Sequence, residues 1–91
     1  MSFTIELEES IYHGQEEIKE ITFQTPRVKH LLEFDKEKGE MAGFVRFLAA
    51  LSSLPPAVLG QMTMADLGKA KAHFKDFLPE EEKAEESFEA I

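Results

Sequence analysis

The fold is decided by residues 48–78, which read LAALSSLPPAVLGQMTMADLGKAKAHFKDFL. This stretch contains the end of an apolar helix, a double proline, a short Leu/Met segment and a second helix. Pro55 and Pro56 must end the first helix, because proline lacks the backbone N–H that a helix needs and clashes with the preceding turn. Pro56 suits the start of a short helical turn that ends at Gly60. The stretch therefore predicts two helices joined by a kinked connection.

The second of these helices is predicted to begin at Thr63, whose hydroxyl is a good N-cap acceptor. Asp66 follows at the spacing of a capping box, and its charge suits the positive end of the helix dipole. Apolar residues then recur along one side of the helix, while Lys69 and His73 are expected on the solvent side. The apolar positions are Leu67, Ala70, Phe74, Phe77 and Leu78.

The helix before the prolines has the clearest amphipathic pattern. Its apolar residues recur at intervals of three and four, which places them along one stripe. They are Met41, Phe44, Val45, Leu48 and Leu51, widened by Phe47 and Leu54. A shorter helix precedes it, predicted to start with Thr25 as N-cap and Pro26 as N1 and to fade near Phe34. The apolar pattern of this shorter helix consists of Val28, Leu31 and Leu32.

The N-terminal residues predict a β-hairpin. Apolar and polar residues alternate, which is the period-two pattern of a half-buried strand. The apolar positions are Phe3, Ile5 and Leu7, and the strand is expected to continue through Ile11 and Tyr12 after an irregularity at Glu9-Ser10. A turn containing Gly14 leads to a second strand at residues 18–24. Ile18 is out of phase with Ile21 and Phe23, which predicts a bulge or a short strand.

Length and composition limit the class of protein. The chain has 91 residues, no cysteine, 10 basic and 18 acidic residues, and a formal charge of −8. This length predicts one thin-cored domain without a disulfide, which a partner or a second copy would stabilise. The acidic balance argues against binding to nucleic acid or to an anionic membrane. We expect a cytosolic protein, because the first residues lack a secretory pattern and no segment is apolar enough to span a membrane.

The last residues differ in composition from the rest. From Pro79 onward, six glutamates and one lysine give a charge of −5, most of the −8 of the whole chain. The segment has too few apolar residues to fold alone, so residues 79–91 are predicted to form an acidic flexible tail after a single domain at residues 1–78. The predicted fold class is α+β: an N-terminal β-hairpin, about three α-helices and the tail. Alternatives for the tail are to bind a basic partner, to mimic a nucleic acid or to mask a binding site.

The sequence contains no catalytic or metal-binding pattern. The histidines His13, His30 and His73 have no HxxxH or HExxH spacing. The glycines fall singly, so there is no glycine-rich phosphate loop, and no acid is paired with a base or a nucleophile. We therefore expect a protein that is not an enzyme and that has no cofactor and no metal site.

Candidate partner contacts are apolar residues at stripe edges, in polar surroundings or beside the prolines. They are Phe34, Phe47, Leu54, Leu59, Met62, Met64 and Phe88. The phenylalanines among them are candidates for an exposed contact or a subunit interface. The methionines would give an adaptable surface, although filling the core around the prolines is the simpler interpretation. The other phenylalanines are expected in the core: Phe3, Phe23, Phe44, Phe74 and Phe77.

The order of these pieces resembles the phage tail assembly chaperone family, small proteins of contractile-tailed, P2-like and Mu-like bacteriophages. The matching pieces are the strand–turn–strand through Gly14, ITFQTP at 21–26, FLAALSSL at 47–54, MTMADL at 62–67 and FKDFL at 74–78. The resemblance implies a non-enzymatic chaperone that keeps the tape-measure protein, the tail length determinant, soluble in the cytoplasm of the bacterial host. It also implies absence from the mature virion and a longer form made by ribosomal frameshift, but no particular binding residues.

The residues alone leave a second class of function open. A small acidic adaptor or regulator would bind a basic partner protein, and that binding would collapse at high salt and on loss of residues 79–91. Binding through apolar helix faces should largely survive both changes. A homo-oligomer is also open, because the helices are apolar for so small a chain.

Overall fold

The computed structural model describes residues 2–77, in which a β-hairpin is followed by four α-helices and a 3₁₀ turn. The elements are β1 (Ser2–His13), β2 (Glu16–Gln24), α1 (Val28–Phe34), α2 (Glu40–Ser52), α3 (Pro56–Leu59), α4 (Met64–Phe74) and the 3₁₀ turn (Lys75–Phe77). The predicted α+β class, with its N-terminal hairpin, is confirmed. The predicted tail at 79–91 lies outside the described residues. None of the described helices is long and apolar enough to cross a membrane.

The two strands pair in antiparallel fashion around a large irregularity. Ile5 lies opposite Ile21, and Ile11 lies opposite Ile18. Between these pairs β1 has five intervening residues and β2 has two, so β1 bulges by three residues. Because the number of extra residues is odd, Ile18 pairs with the core residue Ile11 although Ile18 is out of phase with Ile21. Of the bulge and the short strand that the sequence left open, the structure shows the bulge. Gly14 has a φ of 66° in the hairpin turn, a conformation that glycine adopts without strain.

One face of the hairpin and the inner sides of α2, α3 and α4 form the core. Rings of Phe23 and Phe47 both meet the ring of Phe74 edge to face, with centroids 5.5 Å and 5.9 Å apart. The buried apolar residues are Ile5, Ile11, Ile21, Phe23, Phe44, Phe47, Leu48, Ala49, Leu51, Val58, Leu59, Ala70 and Phe74. Core positions are thereby confirmed for Phe23, Phe44 and Phe74, whereas Phe3 is partly buried, and the side chain of Phe77 lies outside the described part of the chain.

The predicted apolar stripe of α2 is rotated in the structure. Phe47, expected at the stripe edge, is fully buried, and the prediction that it is an exposed contact is wrong. Met41, expected within the stripe, is exposed. The reason is that α2 packs against α1, α3 and β2 together, so its covered sector is wider than one stripe and is centred elsewhere.

The double proline acts as the sequence predicted. The helix α2 ends at Ser52, and its C-cap residue Ser53 adopts a left-handed φ of 64° and donates its N–H to the Ala49 carbonyl at 2.9 Å. Pro55 is the N-cap of α3, Pro56 is its first residue and Gly60 is its C-cap. The kink folds α3 back onto the core, where Val58 and Leu59 are buried.

A buried carboxylate joins α4 to the bulge of β1. The Thr63 hydroxyl accepts the Asp66 N–H at 3.1 Å, which is the predicted N-cap. The Asp66 carboxylate does not complete a capping box but accepts the N–H of Glu8 at 2.9 and 3.1 Å. Lys69 lies 3.3 Å from this carboxylate and donates to the Glu6 carbonyl at 2.8 Å. Two backbone groups of β1 at the bulge, the Glu8 N–H and the Glu6 carbonyl, are thus bonded to side chains of α4.

The charge on Asp66 is held in place by these contacts. Burial by itself would raise the pKa of Asp66, but hydrogen bonds from the Glu8 N–H and from Lys69 outweigh it, and the pKa lies below its ordinary value.

A second side chain, that of Gln61, contacts the same strand farther along. Gln61 accepts the Tyr12 N–H at 2.8 Å and donates to the Tyr12 carbonyl at 2.7 Å, so it pairs with the strand as a neighbouring strand would.

Candidate functional site

The first helix is attached to the rest of the protein mainly through α2. The two helices approach closely where Phe34, at the end of α1, meets Gly43. A Cβ atom at residue 43 would lie 2.8 Å from the Phe34 carbonyl oxygen and 3.3 Å from its ring. A backbone oxygen cannot swing aside as a flexible side chain can, so glycine permits this approach. Phe34 packs against the core as a partly buried side chain.

Exposed ion pairs hold the connection between α1 and α2. Arg46 donates to Glu33 at 3.0 Å and to Glu37 at 3.1 Å. Lys36 donates to Glu33 at 2.9 Å. Hydrogen bonds from Lys36 and Arg46 lower the pKa of Glu33. Because the pairs are open to solvent, they orient the loop but contribute little to stability.

A buried histidine forms the start of α1. Arg27 is the N-cap, and its backbone N–H donates to Nδ1 of His30 at 2.8 Å. Burial lowers the pKa of His30, and the positive charges of Lys29 and Arg27 lower it further. A protonated Nδ1 cannot accept a hydrogen bond, so this contact requires the neutral imidazole. The predicted N-cap at Thr25 is therefore wrong by two residues, because His30 supplies the acceptor for the N–H of Arg27.

The outer side of α1 combines apolar and basic groups. Val28 and Leu32 are 73% and 57% exposed, and their i, i+4 spacing places them on one side of the helix. Beside them lies a groove of about 420 Å³ lined by Pro26, Arg27, Val28 and Leu31. The basic side chains of Arg27 and Lys29 make no ion pair within residues 2–77. We call Arg27, Val28, Lys29 and Leu32 the α1 face.

Other large apolar side chains are exposed away from α1. Met64, at the start of α4, is 71% exposed. Tyr12 on β1 and Met41 at the start of α2 are also exposed. Met64 and Met41 are the long, unbranched type of side chain that adapts to different partners. The described part of the chain thus carries the α1 face and separate apolar positions on other elements.

The buried polar groups serve the fold. Within residues 2–77 the buried polar side chains are His30 and Asp66, and no buried side-chain polar atom lacks a hydrogen bond. In the same residues, no group of three or more His, Asp or Glu side chains is placed to hold a metal ion. The α1 face, which combines exposed apolar side chains with basic ones, is the candidate binding surface of the described region.

A comparison with protein families assigns the chain. The model of a family described as phage tail assembly chaperone proteins, E, or 41 or 14, matches residues 4–79. The chain belongs to this phage tail assembly chaperone family. No curated protein and no solved structure matches it. The match covers nearly all of the described residues and confirms the resemblance drawn from the sequence. The protein is a chaperone of tail assembly, which takes place in the host cell.

The predicted contact residues of this tail assembly chaperone are dispersed by the structure. Met64 is exposed, so the simpler interpretation of it as core filling is wrong. Phe34, Leu54 and Met62 are partly buried and pack against the core. Leu59 is buried, because the proline kink turns α3 inward, and it is not part of a surface. Phe88 lies outside the described residues.

Sequence reasoning missed Val28 and Leu32 as exposed residues of the chaperone. Their spacing with Leu31 indicates a helix face, but a pattern does not show which other element covers that face. Only Leu31 is partly buried against the core. The signal that could have identified this candidate surface is the pair Arg27 and Lys29, since basic residues interleaved with apolar ones stand out in an acidic chain.

Proposed function

We propose that this chain is a non-enzymatic chaperone that binds the tape-measure protein and keeps it soluble during tail assembly. The observation that carries the proposal is the α1 face, which exposes Val28 and Leu32 on a member of a chaperone family. A tape-measure protein is a long helical chain whose apolar faces are open until the tube encloses it. Apolar helix surface on a chain of charge −8 can cover such faces and keep the complex soluble.

The proposed contact surface differs from the set of residues chosen from sequence. Val28 and Leu32 form its centre, with Met64 as a separate contact on α4. Phe34, the last residue of α1, packs over Gly43 and so holds α1 against α2. We place the activity in the cytoplasm of the bacterial host, with the chaperone released before the virion is complete.

The proposal is tested by co-expression with the tape-measure protein encoded by the same phage. The wild-type chain should keep the tape-measure protein soluble and co-purify with it. The double variant Val28→Gln/Leu32→Gln should lower the soluble fraction several-fold, because it removes apolar contacts while keeping good helix formers at exposed positions. Tyr12→Gln is the matched control, since its side chain is exposed on β1, and it should behave as wild type.

Two results would contradict the proposal. The tape-measure protein would remain insoluble beside the wild-type chain, or it would elute alone. A different function is indicated if binding survives the double substitution but is lost at about 0.5 M salt, where exposed charges are screened. That result would favour the acidic adaptor that binds a basic partner.

A further inference from the structure

The α1 face has an unusual charge for this protein. The chain carries −8 in total, yet Arg27 and Lys29 flank the exposed Val28 and make no ion pair within residues 2–77. An apolar groove adjoins them. Such a surface suits a segment that has acidic residues around an apolar anchor.

The same chain contains a segment of that composition. Residues 79–91 carry six glutamates against one lysine, and they include Phe88 and Ile91 as their only large apolar residues. The charge of this segment is opposite to that of Arg27 and Lys29. A symmetric contact between two copies through this surface would instead bring two basic α1 faces together, which is unfavourable.

We propose that residues 79–91 bind the α1 face of the same molecule, with Phe88 against Val28 and Leu32 and the glutamates near Arg27 and Lys29. The segment thereby occupies the surface until a tape-measure helix displaces it. The masking role rests on the proposed function, whereas the contact within the chain does not. Both are properties of the single chain and need no oligomer.

The length of the segment permits this contact. Phe88 lies eleven positions after Phe77, the last described residue, with ten residues between them, and this stretch spans up to about 36 Å when extended. The molecule measures 41 × 27 × 23 Å, so this reach exceeds its two shorter dimensions. Tethering gives the segment a local concentration on the order of millimolar. A contact too weak to form between separate molecules would therefore be populated within one.

A spin label on the full chain tests the contact without any client. The chain has no cysteine, so Ala90→Cys provides a single attachment site for a nitroxide. In NMR spectra the label should broaden the amides of residues 27–32 more than the amide of Met64. Broadening at residues 27–32 should fall at least twofold with Phe88→Ser, and likewise with Arg27→Glu/Lys29→Glu. The matched control is Ser87→Ala, which leaves the charge and Phe88 in place and should preserve the broadening.

Three outcomes would overturn the contact. Broadening would be uniform over the surface, or it would centre on another element. The third outcome is the same broadening in a mixture of unlabelled ¹⁵N chains with spin-labelled ¹⁴N chains. The segment on the α1 face would then come from a second copy. The masking role has its own test: Phe88→Ser should tighten binding of a tape-measure fragment about two- to tenfold. An unchanged affinity beside intact wild-type broadening would overturn masking alone.

Discussion

The junction of α4 with β1 and the pairing of α1 with α2 are built in opposite ways. The first is fixed by a buried carboxylate that holds the backbone of the bulge, with Asp66 fully buried and bonded to Glu8. The second depends on the close approach at Gly43, on the packing of Leu31 and Phe34 against the core and on exposed ion pairs. Elements with fewer buried contacts open at lower free energy. The buried residue of α1 is His30, whereas α4 buries Asp66, Ala70 and Phe74, so we expect α1, which carries the proposed binding surface, to open more easily than α4.

The largest effect should come from removing the junction carboxylate. Asp66→Ala deletes a fully buried carboxylate and leaves the part-buried N–H of Glu8 without its acceptor, so we expect a loss of about 2–3 kcal/mol in the free energy of unfolding. Urea denaturation followed by circular dichroism measures it. Asp76→Ala, at an exposed position, is the control and should change stability by less than about 0.5 kcal/mol. A loss below about 1 kcal/mol for Asp66→Ala would show that the junction is not the stronger attachment.

A smaller effect is expected where the two helices meet. Gly43→Ala places a Cβ atom against the Phe34 carbonyl oxygen, so α1 must shift, at a cost of about 1–2 kcal/mol. Gly68→Ala in α4, where a Cβ meets nothing within 4 Å, is the matched control and should stabilise slightly. Amide hydrogen exchange should show faster exchange in α1 and unchanged exchange in α4. Equal acceleration in both helices would contradict the separation of the two regions.

Acid should distinguish the regions by the pH at which each weakens. The pKa of His30 is lowered from its ordinary 6.5 in the folded chain, so the unfolded chain binds the proton more readily. The stability contributed by His30 is present above about pH 6.5 and falls as the pH decreases below it. The pKa of Asp66 is lowered from 3.8, so its contribution is present above that value and is lost only at lower pH.

Amide exchange measured between pH 7 and pH 4.5 checks this order. With rates corrected for the intrinsic effect of pH, α1 should lose protection within this range, whereas α4 should keep its protection. His30→Gln, which keeps an acceptor that does not titrate, should remove most of the early change. Simultaneous loss in both helices, with no effect of this substitution, would show that they form one cooperative unit.

The smallest expected effect concerns the end of α2. Ser53 holds a left-handed φ that glycine adopts without strain, so Ser53→Gly should stabilise the protein by about 0.5 kcal/mol. Ser52→Gly is the control at a helical position and should destabilise it. Thermal unfolding measures both. A loss of stability for Ser53→Gly would mean that side-chain contacts of Ser53 outweigh the strain.

Local patterns determined the elements of this protein. Proline chemistry placed the end of α2 and the whole of α3, and the Thr63 cap placed the start of α4. Alternation of apolar residues predicted the hairpin, and the misplaced phase of Ile18 predicted its bulge. These predictions succeed because each depends only on residues that are close together in the sequence. The start of α1 was missed because the acceptor for the N-cap is the histidine three residues later, an unusual residue for that position.

Only the tertiary structure decided which apolar faces are covered and what the polar groups bind. Residue order alone could not show that three elements enclose α2 and bury Phe47, nor that a single neighbour leaves Val28 and Leu32 open. The sequence predicted that Asp66 caps its own helix, whereas in the folded chain its carboxylate accepts the N–H of Glu8, a strand residue 58 positions away. Periodicity shows that a helix has an apolar side, but burial depends on contacts between segments distant in sequence.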